Sequence, residues 1–295
     1  MNNIIEVNNL AHCYGERVIY ESLDFSVAEG KVFGLLGKNG VGKTTLIKIL
    51  MGFLRPASGT CRIFGEDSHN LSPESRANIG LLFEGHLAYE FMTIEQIEKF
   101  YAPYYPKWNR DCYYDLVKRL GLPYTHKISD MSCGQRSQVV LGLIMAQQSK
   151  LLILDDYSMG LDAGYRRLFL DYMAEYLKGS NRTVFLTSHI IQDMVGFVDE
   201  VMFLERGGLV TTTSLQEFQT DFHCYRLPKN SNENIPSSGE IIKNVEVHAT
   251  YHELFSFKQR EEVVGALERE GFESSGLEHF AMNLEDAFIG FTGRY

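Results

Sequence analysis

The chain has 295 residues, 44% of them hydrophobic and 22% charged, with a net charge of −10 and a sequence pI near 5.4. That length admits one large domain or two modest ones with a real core, and the composition excludes global disorder. The acidic balance argues against bare nucleic acid as a partner, because phosphate contacts need clustered Lys and Arg.

The acid is unevenly placed. From Ser214 onward there are fourteen acidic and seven basic residues, so most of the negative charge lies in the C-terminal part. The five cysteines (Cys13, Cys61, Cys112, Cys133 and Cys224) are odd in number and form no CxxC pair. Free thiols in a reducing compartment are expected, rather than a disulfide framework or a zinc site. No N-terminal signal is read, since Met1-Asn2-Asn3 leads straight into a strand-like run. No apolar stretch approaches the roughly 18 residues of a membrane helix, so another chain would have to do any spanning.

In chain order, Ile4–Val7 and the region from Val27 to Leu36 read as strands around turn residues, and Lys31–Leu36 ends at a glycine as a buried strand does. Apolar residues at helical spacing follow over Thr44–Met51, stopped by Gly52 and Pro56. Cys61–Phe64 reads as a strand after the turn at Ser58-Gly59-Thr60. Residues 84 to about 127 are rich in aromatics and punctuated by Pro103 and Pro106, which predicts a mostly helical insertion. Leu151–Leu154 and Thr183–Leu186 are apolar runs separated by a helix-length pattern, the spacing of parallel βαβ units. Val201–Leu204 and Leu209–Thr212 flank a hairpin signal at Arg206-Gly207-Gly208. Beyond residue 213 the character changes to a small α+β appendage. It opens with a polar loop at Lys229–Gly239, alternates over Glu240–Phe257, and carries helices at Lys258–Arg269 and about Asn283–Phe291.

Two motifs carry chemistry. Gly37-Lys38-Asn39-Gly40-Val41-Gly42-Lys43-Thr44 matches GxxxxGK[ST], with a strand before it and a helix after it. Glycines let the backbone wrap phosphate oxygens so that N–H groups point at the anion, and the helix start adds its positive end. Lys43 is expected to reach the β- and γ-phosphates and Thr44 to ligate Mg²⁺. Gly37, Asn39, Gly40, Val41, Gly42 and the adjoining Thr45 complete the candidate nucleotide cradle. Leu151–Leu154 then runs into Asp155-Asp156 at the ligand end of a parallel sheet. Asp155 is placed to hold Mg²⁺, mostly through water, and Asp156 to orient or deprotonate an attacking water.

Five further elements occur in an order that resembles the ABC-type ATPases, over about residues 4 to 212. Tyr14, in His12-Cys13-Tyr14-Gly15, resembles the aromatic that stacks on adenine, although an aromatic there also suits packing at a sheet edge. Glu84 stands where that family has its Q-loop glutamine. Met131-Ser132-Cys133-Gly134-Gln135 resembles the LSGGQ signature, and Ser132 also reads as a helix N-cap. Gly160-Leu161-Asp162 resembles the D-loop, and Thr187-Ser188-His189 the switch histidine.

The resemblance implies an α/β fold: a P-loop NTPase core, an ABC-type antiparallel β lobe and a helical subdomain at about 84–150. It implies an ABC ATPase domain over 1–212 and an accessory domain over 213–295. ATP and Mg²⁺ are the implied cofactors, with Glu84 joining Thr44 and Asp155 at the metal, and Asp156, His189 and Glu84 serving catalysis. Tyr14, Ser132, Gly134, Gln135 and Asp162 join the P-loop as implied nucleotide contacts. The signature of one subunit would face the γ-phosphate held by another, so a homodimer or heterodimer is implied. So is a membrane-spanning permease subunit, with the chain cytoplasmic on the inner face of the membrane.

Tyr104–Trp108 and Asn283–Phe288 resemble the bacterial ABC-2-type export group. The aromatic stretch Gly85–Trp108, with His86, Tyr89 and Phe91 foremost, is suited either to that permease contact or to the insertion's own core. The acidic tail suits a second subunit, a regulator or simple solvation.

Three positions depart from the family pattern: Asp156 for the usual glutamate, Tyr157 for the usual proline, and Glu84 for the usual glutamine. They predict slow hydrolysis with a long-lived ATP-bound dimer. A binding switch with weak turnover, or a soluble ABC protein without a transport role, are the alternatives.

Overall fold

The computed structural model describes residues 2–83, 89–158, 160–188, 190–205, 208–229 and 234–293. The chain divides into two compact units, Met1–Thr212 and Thr213–Tyr295.

The first unit opens with a long hairpin, β1 (Asn3–Tyr14) and β2 (Arg17–Ala28), followed by β3 (Val32–Leu36) and helix α1 (Lys43–Leu50). Next come β4 (Ser58–Ile63), β5 (Glu66–Asp67), α2 (Pro73–Ala77) and β6 (Ile79–Leu82). Helices α3 (Ile94–Tyr101), α4 (Arg110–Val117) and α5 (Cys133–Ala146) follow. The unit continues with β7 (Leu151–Leu154), α6 (Ala163–Leu177), β8 (Thr183–Thr187), β9 (Glu200–Glu205) and β10 (Gly208–Thr213). The hairpin strands are longer than the sequence suggests. Register shifts along the β1–β2 pairing break the alternation by which strands are recognised.

The hairpin pairs with β4 and β5 in a four-stranded sheet of order β2-β1-β4-β5, in which every pairing is antiparallel. A six-stranded sheet has the order β10-β9-β3-β8-β7-β6, and β3 pairs parallel with both β8 and β9. Strands β7 and β8 are buried along their whole length, which is why they read as continuous apolar runs. Between the sheets lies a core containing Leu46, Ile47, Ile49 and Leu50 of α1, each worth about 1.5–3 kcal/mol when fully buried.

The order β3-β8-β7 positions the site. The ends of β3 and β7, which lead into the P-loop and into Asp155, flank β8 and its last residue, Thr187.

The helical part has its own core, in which Ile94, Ile97, Tyr113, Val139 and Leu143 meet. Thr93 starts α3 with a capping box to Gln96, and the hydroxyl of the buried Tyr113 donates to the Ile94 carbonyl at 2.8 Å. Buried Glu98 accepts from Trp108 Nε1 at 2.9 Å. The aromatics therefore divide. Tyr113 is core, whereas Tyr89, Phe91 and Tyr104 are 42%, 69% and 66% exposed, and their rings pack around Phe100 and one another.

The second unit holds α7 (Leu215–Asp221), β11 (His223–Pro228), β12 (Asn244–Val247), β13 (Tyr251–Ser256), α8 (Arg260–Arg269), β14 (Glu278–Phe280) and α9 (Leu284–Thr292). Its sheet has the order β12-β13-β11-β14. Gly290 of α9 lies so close to this sheet that an added Cβ would come within 2.2 Å of the Phe255 ring. Among the described residues no helix is long and apolar enough to cross a membrane.

Candidate functional site

The glycine-rich loop joins β3 to α1, and its shape depends on two residues with positive φ, Gly40 (81°) and Gly42 (118°). Gly42 is also crowded: a Cβ there would lie 2.6 Å from both Ile19 Cγ2 and the Tyr20 hydroxyl. Gly42 is the N-cap of α1 and offers no side chain to the first-turn N–H groups, which leaves them to an anion.

Strand β2 holds the loop from outside. The Tyr20 hydroxyl donates to the Gly42 carbonyl at 2.5 Å, and Arg17 Nη2 donates to the Gly40 carbonyl at 2.8 Å. Burial pushes the Tyr20 phenol well above its ordinary pKa, so it remains a donor at any physiological pH. Lys43 Nζ lies over the loop and donates to the carbonyls of Gly37 (2.7 Å) and Lys38 (3.0 Å).

The two acids stand opposite. Asp155 is 1% exposed, and its Oδ1 accepts from Thr187 Oγ1 at 2.9 Å, with Thr44 Oγ1 at 3.4 Å from the same oxygen. The backbone N–H of Asp156 donates to Thr187 Oγ1 at 2.8 Å, and Ser158 Oγ donates to Asp156 Oδ1 at 3.2 Å. Asp156 has φ 44°, a left-handed conformation that Asp tolerates better than most residues. Tyr157 turns inward and stacks on Phe169, with ring centroids 4.9 Å apart. Burial, and after it the Asp193 carboxylate, raise the Tyr157 phenol far above its ordinary pKa.

These groups line one groove of about 640 Å³. It brings together Tyr14, Asn39, Gly40, Gly42, Lys43, Thr44, Thr45, Asp155 and Asp156 from the sequence expectation, and adds Arg17, Ile19 and Thr187. Tyr14 is 47% exposed at the end of β1, in edge contact with His12. The Val41 side chain instead faces the core, and a Cβ on Gly37 would strike the Leu204 carbonyl, so any role of these two in binding falls to their backbone.

Ser132, Gly134, Gln135 and Asp162 do not line the groove. Ser132 caps α5 in a capping box with Gln135, whose side chain accepts from the Ser132 backbone N–H at 3.0 Å. Gly134 is held small by Tyr165, whose ring would lie 2.2 Å from a Cβ. Asp162 caps α6 by accepting from the Tyr165 N–H at 2.9 Å. Glu84, His86 and His189 lie outside the described residues.

Arg17 and Tyr20 carry no motif, and nothing local in the sequence marks them. Thr187 was visible only as the residue two before His189.

The oxygens of Thr44 and Asp155, close together beside a phosphate-shaped loop, are the hard donors that suit Mg²⁺. The groove can hold a polyphosphate on α1 and Lys43, with two carboxylates at its far wall.

Comparison with known proteins agrees with this chemistry. Residues 20–158 match the ABC transporter family. The chain is 27% identical over 305 residues to Nod factor export ATP-binding protein I of Cupriavidus metallidurans, covering 100% of this chain and 99% of that protein. It is 27% identical to the bacitracin transport ATP-binding protein BcrA of Bacillus licheniformis, over 86% of this chain and 82% of that one. Among solved structures, an ATP-binding cassette seen as a post-hydrolysis dimer with ADP and Pi superposes with a TM-score of 0.63 at 19% identity. The match covers 71% of this chain and 98% of that one.

Proposed function

Because residues 20–158 of this chain match the ABC transporter family, we propose that the chain is the ATP-binding and hydrolysing subunit that drives a separately encoded permease, for export. The observation that carries this reading is the convergence of Lys43, Thr44, Asp155 and Asp156 on one groove. In that reading the first-turn N–H groups of α1 receive the phosphates, and Lys43 exchanges its loop carbonyls for the β- and γ-phosphate oxygens. Thr44 and Asp155 hold Mg²⁺, which neutralises charge on the β- and γ-phosphates. Asp156 orients the attacking water, Tyr14 stacks on the base, and Glu84 and His189 complete the catalytic set.

The signature residues Ser132, Gly134 and Gln135 stand apart from the groove, which supports a site completed by the signature of a second cassette. Asp162 lies at the same interface in this reading. The aromatic surface of Tyr89, Phe91 and Tyr104 suits a permease contact, since exposed aromatic clusters are enriched where proteins meet. Export is supported by the relatives' names, Nod factor export and bacitracin transport. The chain would then work from the cytoplasmic face of the membrane, with residues 213–295 as an accessory domain.

The short acid at Asp156 favours one second reading, a cassette that closes on ATP and turns it over slowly. Mg²⁺-dependent ATPase assays of the full chain beside Lys43→Ala, with light scattering, test both. Turnover lost by about 10²-fold or more in the variant, with ATP-induced dimers, is the expected result. Tight binding and dimers without turnover favour the second reading. Absence of ATP binding overturns both.

A further inference from the structure

We propose that Thr187 is a positioning residue for the hydrolytic site, one hydroxyl that sets both acids at once; the proposal rests on the ATPase reading above. Strand β8 ends at Thr187 between the strand that leads into the P-loop and the strand that leads into Asp155. Thr187 is fully buried, and its β-branched side chain has little rotational freedom.

The direction of its hydrogen bonds is forced. A hydroxyl has one proton and two lone pairs. The Asp156 N–H can only donate, so it takes a lone pair of Thr187 Oγ1, at 2.8 Å. The proton of Thr187 then goes to Asp155 Oδ1, at 2.9 Å. That bond fixes the rotation of the Asp155 carboxylate on the same oxygen that Thr44 approaches. The other bond anchors the peptide entering Asp156, whose positive φ needs such support.

Thr187 therefore acts through Asp155 on metal placement and through Asp156 on water placement. Valine keeps the shape and stiffness of threonine but removes the hydroxyl, leaving a buried N–H without its acceptor. Serine keeps the hydroxyl and loosens its rotamer.

The test uses the full-length chain with Thr187→Val and Thr187→Ser. Three quantities are read: Mn²⁺ affinity by EPR with a non-hydrolysable ATP analogue, kcat and KM for ATP, and the thermal midpoint. For Thr187→Val we expect Mn²⁺ binding weakened about tenfold and kcat lowered about tenfold, with KM for ATP within about threefold of wild type. Thr187→Ser restores both quantities to within about threefold. Wild-type Mn²⁺ affinity and kcat in folded Thr187→Val overturn the proposal. If the valine variant does not fold, Thr187→Ala is read by the same criteria. A wild-type chain without Lys43-dependent turnover overturns the ATPase reading instead. The Mn²⁺ comparison then decides Thr187 alone, with weaker binding in the valine variant supporting it and equal binding overturning it.

Discussion

The Tyr20 hydroxyl donates to the carbonyl of Gly42, the residue that caps the helix behind the P-loop. The same carbonyl accepts the Leu46 N–H at 2.9 Å as the first helical bond, so two donors hold it along the helix axis. Across a trans peptide the C=O and the following N–H point in opposite directions. Fixing the Gly42 oxygen therefore aims the Lys43 N–H at the groove. The antiparallel lobe, which contributes no motif of its own at this point, sets the geometry of the glycine-rich loop.

Removing that hydroxyl should weaken binding more than chemistry. Tyr20→Phe keeps the ring in the core and loses one hydrogen bond, worth about 1 kcal/mol. The expected outcome is an ATP Kd raised about fivefold, with kcat at saturation within about twofold. Titration with a fluorescent ATP analogue beside steady-state kinetics checks this. A KM unchanged with a reduced kcat would place Tyr20 in the chemistry instead.

The backbone at Asp156 changes what the family's usual glutamate would do here. On the proposed reading, Asp156→Glu lengthens the carboxylate toward the attacking water, and a misplacement of about 1 Å can cost ~10²-fold. The longer side chain must also adopt φ 44°, at a cost of about 1 kcal/mol. We expect kcat to rise about tenfold or more, together with a lower thermal midpoint. Turnover unchanged or lowered would mean that Asp156 is not a shortened base.

Cysteine chemistry separates core from interface. Cys61 and Cys224 are buried, and burial pushes each thiol up to about 12, far from the reactive thiolate. Cys13 and Cys133 are exposed. Iodoacetamide at neutral pH should label Cys13 and Cys133 in the native chain, and Cys61 and Cys224 only after unfolding, as read by mass spectrometry. Cys133 lies between Ser132 and Gly134, the residues that resemble a signature, so on the proposed reading ATP added to Asp156→Asn should slow its labelling about tenfold by closing a second cassette over it. Equal rates with and without ATP would argue against that closure.

Much of the site was legible because its parts are local. Gly37–Thr44 is a contiguous segment whose residue types meet the needs of one loop, and Asp155-Asp156 ends an apolar run that cannot be mistaken for a surface element. Ser132 suits both a cap and a signature, and the capping box with Gln135 shows the first. Other elements left no local trace. Strand β14 is three exposed residues without alternation, and the β1–β2 hairpin is interrupted by register shifts. In the sequence Tyr157 is visible only as a departure from a proline, whereas its ring fills a buried place against Phe169.

The sequence by itself determined the glycine-rich loop motif, the two acids and the family they resemble, because glycine spacing and strand ends express their chemistry within a few residues. The tertiary structure decided what holds them. Arg17 and Tyr20 reach the loop from 23 and 22 residues away, and Thr187 reaches the two acids from 32 and 31 residues away. Parallel pairing of β8 with β7 brings Thr187 beside the two acids, whereas Arg17 and Tyr20 reach the loop from the separate antiparallel sheet. A hydrogen bond formed across such a distance is set by sheet order and packing, and no local pattern in the chain encodes it.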